Sequence, residues 1–261
     1  MPADFRNSAL AWELRRTPLW RRYRQPPAAT QEFSFYSRLI DRHAPGCILD
    51  VGASHGGKAE IFRQLAQRVV AIEPDPTAAK TLRHRFRWRN VEVCEFAVAG
   101  SEAIIPFYSF EDGSASNTAS PEWVDCITHA DKNPWRIALN QPRTTSVKAK
   151  PLSYFLKQFW PVKYLKVDAE GFEEQVFSTF DRPAPLISIE FVFPHGRPGL
   201  ATCLSKLDAL GDYEFNVAIS EPPLELELNR WQRSDEITRS IEKNGWLYIE
   251  LYARAHPRQP S

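Results

Sequence analysis

From residue 46 onward the chain predicts a doubly wound α/β domain, a mostly parallel sheet with helices on both faces. Three observations predict it. Short apolar segments alternate with helix-length amphipathic ones, the pattern of parallel strands joined by crossover helices. Cys47-Ile48-Leu49-Asp50-Val51 reads as a buried strand that runs straight into the turn Gly52-Ala53-Ser54-His55-Gly56-Gly57 and a helix start. A second apolar run, Arg68-Val69-Val70-Ala71-Ile72, ends in Glu73-Pro74 about twenty residues further on.

The elements follow in order. Residues 1–30 form an arm in which Ala9 to Arg16 is helical in character, and Leu19-Trp20-Arg21-Arg22-Tyr23-Arg24 sets aromatics among arginines. Trp12, Leu14, Trp20 and Tyr23 carry too much apolar surface for a free tail. The arm is therefore expected to pack on the domain or on a second copy in a homo-oligomer, its arginines offering an anionic lipid or carrier surface as the alternative. A helix over 31–43, with Phe33, Tyr36, Leu39 and Ile40 on one face, completes an N-terminal helical arm over 1–44; the domain proper runs over 45–261.

Strand one spans 46–51, a helix 57–67, strand two 68–73, a helix 76–87 and strand three 91–96. An extra strand runs from Ile104 to Phe110, and 111–146 is a polar, proline-interrupted excursion of the kind that forms lids and substrate loops. An extended segment at 144–149, helix 151–160, strand 162–168, helix 171–180, strand 185–193, helix 199–211 and strands 213–219 and 246–252 bring the core to seven strands.

Charge and cysteine usage narrow the class. Lys plus Arg at 33 nearly cancels Asp plus Glu at 32, so a net charge of +1 gives no generic attraction to nucleic acid. Arg83-His84-Arg85-Phe86-Arg87-Trp88-Arg89 is the densest basic run; it reads either as a solvated helix end or as a surface for an anionic partner. Cys47, Cys94, Cys126 and Cys203 are scattered without C-x-x-C spacing, which favours buried free thiols and a reducing, cytoplasmic setting. No apolar run reaches the roughly 18 residues of a membrane span, and no signal-peptide core is present in this sequence.

In such sheets ligands bind beyond the carboxyl ends of the strands, where the turn and Glu73 share one edge. Gly52 and Gly56 let backbone approach a ligand closely, and Glu73 can accept both hydroxyl protons of a ribose. Together they indicate an adenosine-containing cofactor. The glycines stand four apart instead of in G-x-G-x-x-G, which argues against a dinucleotide. Asp50-x-Gly52-x-Ser54-x-Gly56 resembles the first motif of class I S-adenosylmethionine-dependent methyltransferases. That resemblance implies a cradle of Asp50, Gly52, Ala53, Ser54, His55 and Gly56 for the methionine part, Glu73 and Pro74 for the ribose, and Glu95, Phe96 and Ala97 near the adenine.

A longer segment is more specific. Tyr164-Leu165-Lys166-Val167-Asp168-Ala169-Glu170-Gly171-Phe172-Glu173 is similar to the Lys-Ile-Asp-Val-Glu-Gly-x-Glu segment of the FkbM family of methyltransferases. That family also carries an Asp-Val-Gly-Ala-Asn-x-Gly first motif, a Glu-Pro-x-Pro and an acid ending strand five, matched here by Asp50 to Gly56, Glu73-Pro74-Asp75-Pro76 and Glu190. Ser54 replaces the usual Asn. The resemblance spans roughly 45–220 and implies a class I Rossmann-like methyltransferase fold and O-methylation of a hydroxyl on a sugar, glycolipid or natural product.

Methyl transfer to an alcohol requires a base beside the methyl group. Asp168 and Glu170 are the first candidates to orient or deprotonate the acceptor, and Asp168 also adjoins the cofactor. The two could hold a divalent metal through oxygen ligands, or serve as helix N-cap and first-turn acid. His195, after strand five, is a candidate general base, with Glu190 placed to orient it or the acceptor. His55 and His129 are weaker candidates, and Ser114, Ser116 and Asn117 resemble the family loop that approaches substrate. An RNA methyltransferase is the competing enzyme reading, opposed by neutral net charge and by the lack of an Asn/Asp-Pro-Pro-Tyr-type motif; a non-catalytic binding protein is the third, opposed by intact Gly52, Glu73 and Asp168.

Overall fold

The computed structural model describes residues 27–256 except 134 and 137, with side chains from Gln31 onward. The aromatic and basic part of the arm, with Trp12, Leu14, Trp20 and Tyr23, lies outside the described residues.

The chain enters as helix α1 (Pro27–Leu39) and then alternates strand and helix. β1 (Cys47–Val51), β2 (Val69–Ile72), β3 (Val91–Cys94), β7 (Val162–Val167) and β8 (Leu186–Val192) run parallel in one sheet. β10 (Tyr248–Ala255) inserts antiparallel between β8 and β9 (Tyr213–Ala218), so the order is β3-β2-β1-β7-β8-β10-β9. These are the seven core strands the sequence predicts.

Side-chain alternation along the strands assigns each residue to a face. Leu49, Val51, Val70, Ile72, Leu165, Val167, Ile187 and Ile189 belong to one buried cluster. It is covered by α5 (Leu152–Gln158), α6 (Glu173–Phe177), α7 (Arg197–Leu210) and α8 (Ser234–Asn244), which contribute Phe155, Phe177, Leu204 and Ile241 among others. Ile48, Val69, Ala71 and Tyr164 join the opposite cluster, against Phe35 and Tyr36 of α1, Phe62 of α2 (Gly57–Phe62) and Leu82 of α3 (Pro76–Arg85). Each fully buried Leu or Phe contributes about 1.5–3 kcal/mol, so strands apolar on both faces can only lie inside such a sandwich. α1 is thereby part of the core.

The structure corrects the sequence reading in three places. Strand three stops at Cys94, and Ala97–Ala99 becomes β4 of a second sheet with β6 (Arg143–Pro151) and β5 (Ala103–Ser109), in the order β4-β6-β5. The excursion holds a helix, α4 (Pro121–Thr128), started by Ser120, whose Oγ accepts from the Trp123 N–H at 3.0 Å, and by Pro121 in its first turn. α8 was not anticipated either. Its signals were Ile237 and Ile241 four apart, acids in the first turn and Gly245 after the last. Cys47, Cys94, Cys126 and Cys203 are all free. Among the described residues no helix is long and apolar enough to cross a membrane.

Candidate active site

A cleft of about 1510 Å³ opens at the carboxyl ends of β1, β2, β7 and β8. Its two ends are built differently. At one end, β1 delivers the turn and β2 delivers Glu73 and Pro74. Gly52 has φ +77, and a Cβ there would lie 1.7 Å from the Asp168 carbonyl oxygen; at Gly56, φ +78, it would meet Phe86 at 2.5 Å. Protein packing therefore requires both glycines, and the Gly52 backbone also lines the cleft.

Glu73 is buried, and each of its oxygens accepts one backbone N–H: Oε2 from Ser54 at 2.7 Å and Oε1 from Asp75 at 2.8 Å. A carboxylate oxygen has capacity for a second bond, so hydroxyl donors can still be received. Burial pushes Glu73 up to about 7 against the pull of those two bonds, with the charges of Asp75 and Asp50 adding to the rise. Asp75 caps α3, its Oδ1 accepting from Thr77 and Ala78 at 2.7 and 3.0 Å, while its Oδ2 takes Asn117 Nδ2 at 2.7 Å. Asn117 thus pins the predicted substrate loop over the Glu73 end of the cleft.

Of the predicted cofactor residues, Gly52, Ala53, Ser54, His55, Glu73, Pro74, Phe96, Ala97 and Asp168 line the cleft. Asp50, Gly56 and Glu95 do not. Asp50 is 0 % exposed, both its oxygens lack a hydrogen-bond partner, and burial raises it to about 6 with Lys166 opposing. Glu95 turns away to an ion pair with Arg83 at 2.6 Å.

At the other end β7 and β8 deliver charge. Asp168 Oδ2 lies 2.7 Å from Lys166 Nζ, and that ammonium is only 3 % exposed. Burial works against its charge, yet Asp168, Asp50, Glu250 and Glu190 together hold Lys166 well above the usual lysine range. One carboxylate oxygen each from Asp168, Glu170 and Glu190 lie within 4.8 Å of one another. Burial, then the charge of Asp168, raises both Glu170 and Glu190 well above the carboxylate range. Such a group takes protons or shares a cation, because three like charges this close repel. Tyr248 donates to Glu190 Oε2 at 3.1 Å, and Glu221 joins the rim from the segment after β9.

The helix-capping alternative for Asp168 and Glu170 is not what the structure shows. α6 has Phe172 at its N-cap with no side-chain bond, and its first-turn acids are Glu173 and Glu174. Glu173 Oε1 instead accepts from the N–H groups of Ala169 and Gly171 at 3.0 and 3.2 Å.

The histidines are dispersed. His195 lines a separate cavity of about 750 Å³ bounded by α4 and by Asp131, Lys132, Asn133 and Arg136. Its ring packs 5.4 Å from the Trp123 ring; burial lowers its pKa, against a hydrogen bond to the Gly171 backbone. His55 lines the cleft beside Gly113, whereas His129 sits outside on α4's end and pairs with Asp125 at 3.4 Å. In the basic run Phe86 is buried and Trp88 is 88 % exposed under the Arg87 guanidinium. Sequence reasoning missed Lys166 and Thr118 as site residues, although Lys166 stood in the quoted segment; Glu221 carried no signal at all.

Comparison with known proteins now bears on this geometry. The family model of the methyltransferase FkbM domain matches residues 50–221, well over half the chain. No curated protein sequence matches. Among solved structures, an FkbM methyltransferase from Methylobacillus flagellatus is 15% identical, with 94% of this chain and 52% of that one covered and a TM-score of 0.44. The chain thus spans about half the length of that protein. A TehB-like S-adenosylmethionine-dependent methyltransferase from Corynebacterium glutamicum is 14% identical over 98% of this chain and 100% of its own, at 0.43. A precorrin-6y C5,15-methyltransferase from Geobacter metallireducens is 13% identical over 87% of each, at 0.42. Those likenesses are distant, and the family match over the cleft-forming residues decides the assignment: this chain belongs to the FkbM family of methyltransferases.

Proposed function

We propose that this chain is an S-adenosylmethionine-dependent O-methyltransferase whose acceptor is a hydroxyl of a carbohydrate, glycolipid or natural product. The observation that carries the reading is the convergence of Asp168, Glu170 and Glu190 beside the nucleotide turn. The cofactor fits the residues present: Glu73 keeps one acceptor site on each oxygen, as a ribose diol requires, and the cleft has room for a nucleoside and an acceptor. When bound, it supplies an electrophilic methyl group.

The chain's own residues do the rest. Glu73 would hold the ribose, and the turn Gly52 to His55 would face the methionine part. Lys166 holds Asp168 through Oδ2, which leaves Oδ1 to take the acceptor's hydroxyl proton. Glu170 and Glu190 orient the acceptor, as protonated donors or through a divalent cation that would acidify the hydroxyl. With His195 in the neighbouring cavity, the Asp168 carboxylate is the better-placed base. The acidic rim, with Glu221, also disfavours an RNA phosphate backbone in the cleft.

The test is incubation with methyl-labelled cofactor and separate pools of glycans, small alcohols and RNA, with and without chelator. Label should enter the glycan or alcohol pool as an alkali-stable ether. Label in RNA alone would sink the reading; loss with chelator, restored by magnesium or manganese, would select the cation version.

A further inference from the structure

Glu170 holds a backbone conformation that an L residue avoids, with φ at +51. Neighbours must impose it. Two of them, one on α6 and one in the loop before α4, bond the main chain on and around it. Oε1 of Glu173 accepts from Ala169 N–H at 3.0 Å and from Gly171 N–H at 3.2 Å, so the amides flanking Glu170 share one acceptor. The Thr118 hydroxyl donates to the Glu170 carbonyl at 2.7 Å.

Thr118 is itself held. Its N–H and carbonyl pair with Tyr108 at 3.1 and 2.8 Å, and its Oγ1 accepts from the Ser120 N–H at 2.9 Å. The preceding residue is Asn117, bound to Asp75 at 2.7 Å, so adjacent loop residues grip the nucleotide end and the acceptor end of the cleft. The contacts specify where the Glu170 side chain starts. If φ relaxed to the ordinary negative region, the Cα–Cβ bond would swing and carry the carboxyl away from Asp168 and Glu190.

We propose that Thr118 and Glu173 are positioning residues that clamp Glu170 in its left-handed backbone and so present its carboxyl to the acceptor. The inference rests on the acceptor-orienting role given to Glu170 above, and its test separates the two. Thr118→Val and Glu173→Leu remove the hydrogen bonds with little change of volume; Thr118→Ser and Glu173→Gln keep them.

Three readouts are taken on the full chain: amide hydrogen exchange at Ala169 and Gly171, titration with S-adenosylhomocysteine, and methyl transfer to the pool that accepts label. The first pair should raise exchange at both amides by about tenfold. It should leave S-adenosylhomocysteine affinity within about twofold, which also reports an intact fold, and lower kcat by about ten- to a hundredfold with little change in KM. The conservative pair should restore both. Unchanged exchange in Thr118→Val and Glu173→Leu, or an equal loss in the conservative pair, overturns the clamp. Should exchange rise as expected while Glu170→Gln transfers methyl groups at the parent rate, the clamp stands and the role of Glu170 falls. If no pool accepts label, exchange alone decides the clamp.

Discussion

The Glu73 end of the cleft, proposed above as the nucleotide end, and the Asp168 end, proposed as the acceptor end, solve opposite problems. At the nucleotide end the charged group is satisfied by main chain: Glu73 receives Ser54 and Asp75 amides, and Asp75 caps the helix that follows it. At the acceptor end the charges are satisfied by one another, with the buried Lys166 ammonium set among Asp50, Asp168, Glu190 and Glu250. Backbone amides come with any strand-turn-helix, so the first end suits a cofactor common to many relatives. Side-chain charges from separate strands are individually replaceable, and their mutual repulsion holds protonation states away from those of water. The chemistry is therefore expected to reside in the second end, and binding in the first.

Substitutions at the acceptor end offer the sharpest way to break this contrast. Asp168→Asn and Glu170→Gln should each lower turnover by about 10²–10⁴-fold, the span of a lost acid or base, while S-adenosylhomocysteine binds as before. Parent-level turnover in both would reduce the carboxylates to scaffolding. Lys166→Met should be felt in stability, because it strands Asp168 and Asp50 without their cation; a loss of about 3–5 kcal/mol by urea unfolding is expected for a broken buried pair. An unfolding midpoint equal to the parent's would mean that the carboxylates simply take up protons.

Changes at the nucleotide end should be smaller and confined to affinity. Glu73→Ala should weaken S-adenosylhomocysteine by about 1–3 kcal/mol by calorimetry, the worth of hydrogen bonds to a charged group. A pH series sharpens the point. Glu73 is raised from an ordinary 4.5 to about 7, so its contribution to stability without ligand is fully present below 4.5 and lost as pH rises through 7. A ribose diol donates to the ionised form, so binding expels the proton. Affinity should fall by up to about tenfold per unit as pH drops below 7, and Glu73→Gln should flatten that slope. A pH-independent affinity in the parent would show that the diol is held elsewhere.

What could be read without coordinates was whatever is local. The β1 turn, Glu73 ending β2, the Asp75 cap with Pro76, and the Tyr164 to Glu173 segment each lie within about ten residues, where strand period, helix-start chemistry and glycine placement act directly. The seven-stranded sheet followed from the alternation of apolar strands and helices. Two helices are not predicted, although Ser120-Pro121 before Trp123 and the Ile237–Ile241 spacing are ordinary helix signals: the first lies inside the polar excursion over 111–146, the second in a stretch between two strands to which the sequence reading assigns no element.

By itself, then, the sequence determined the sheet, the cofactor edge and the residue types at the strand ends. Tertiary structure alone decided their partners. Lys166 meets Asp50 because β7 lies beside β1 in register, and Glu190 reaches Asp168 because β8 lies on β7's other side. His195 lines the neighbouring cavity beside α4 and bonds the Gly171 backbone, a place that only packing sets. Thr118 reaches Glu170 across 52 positions of chain. The physical reason is one of range. Backbone preferences and caps act over a few residues and leave a signature in spacing, whereas burial, charge pairing and side-chain hydrogen bonds depend on distance in space, which packing of the whole sheet sets.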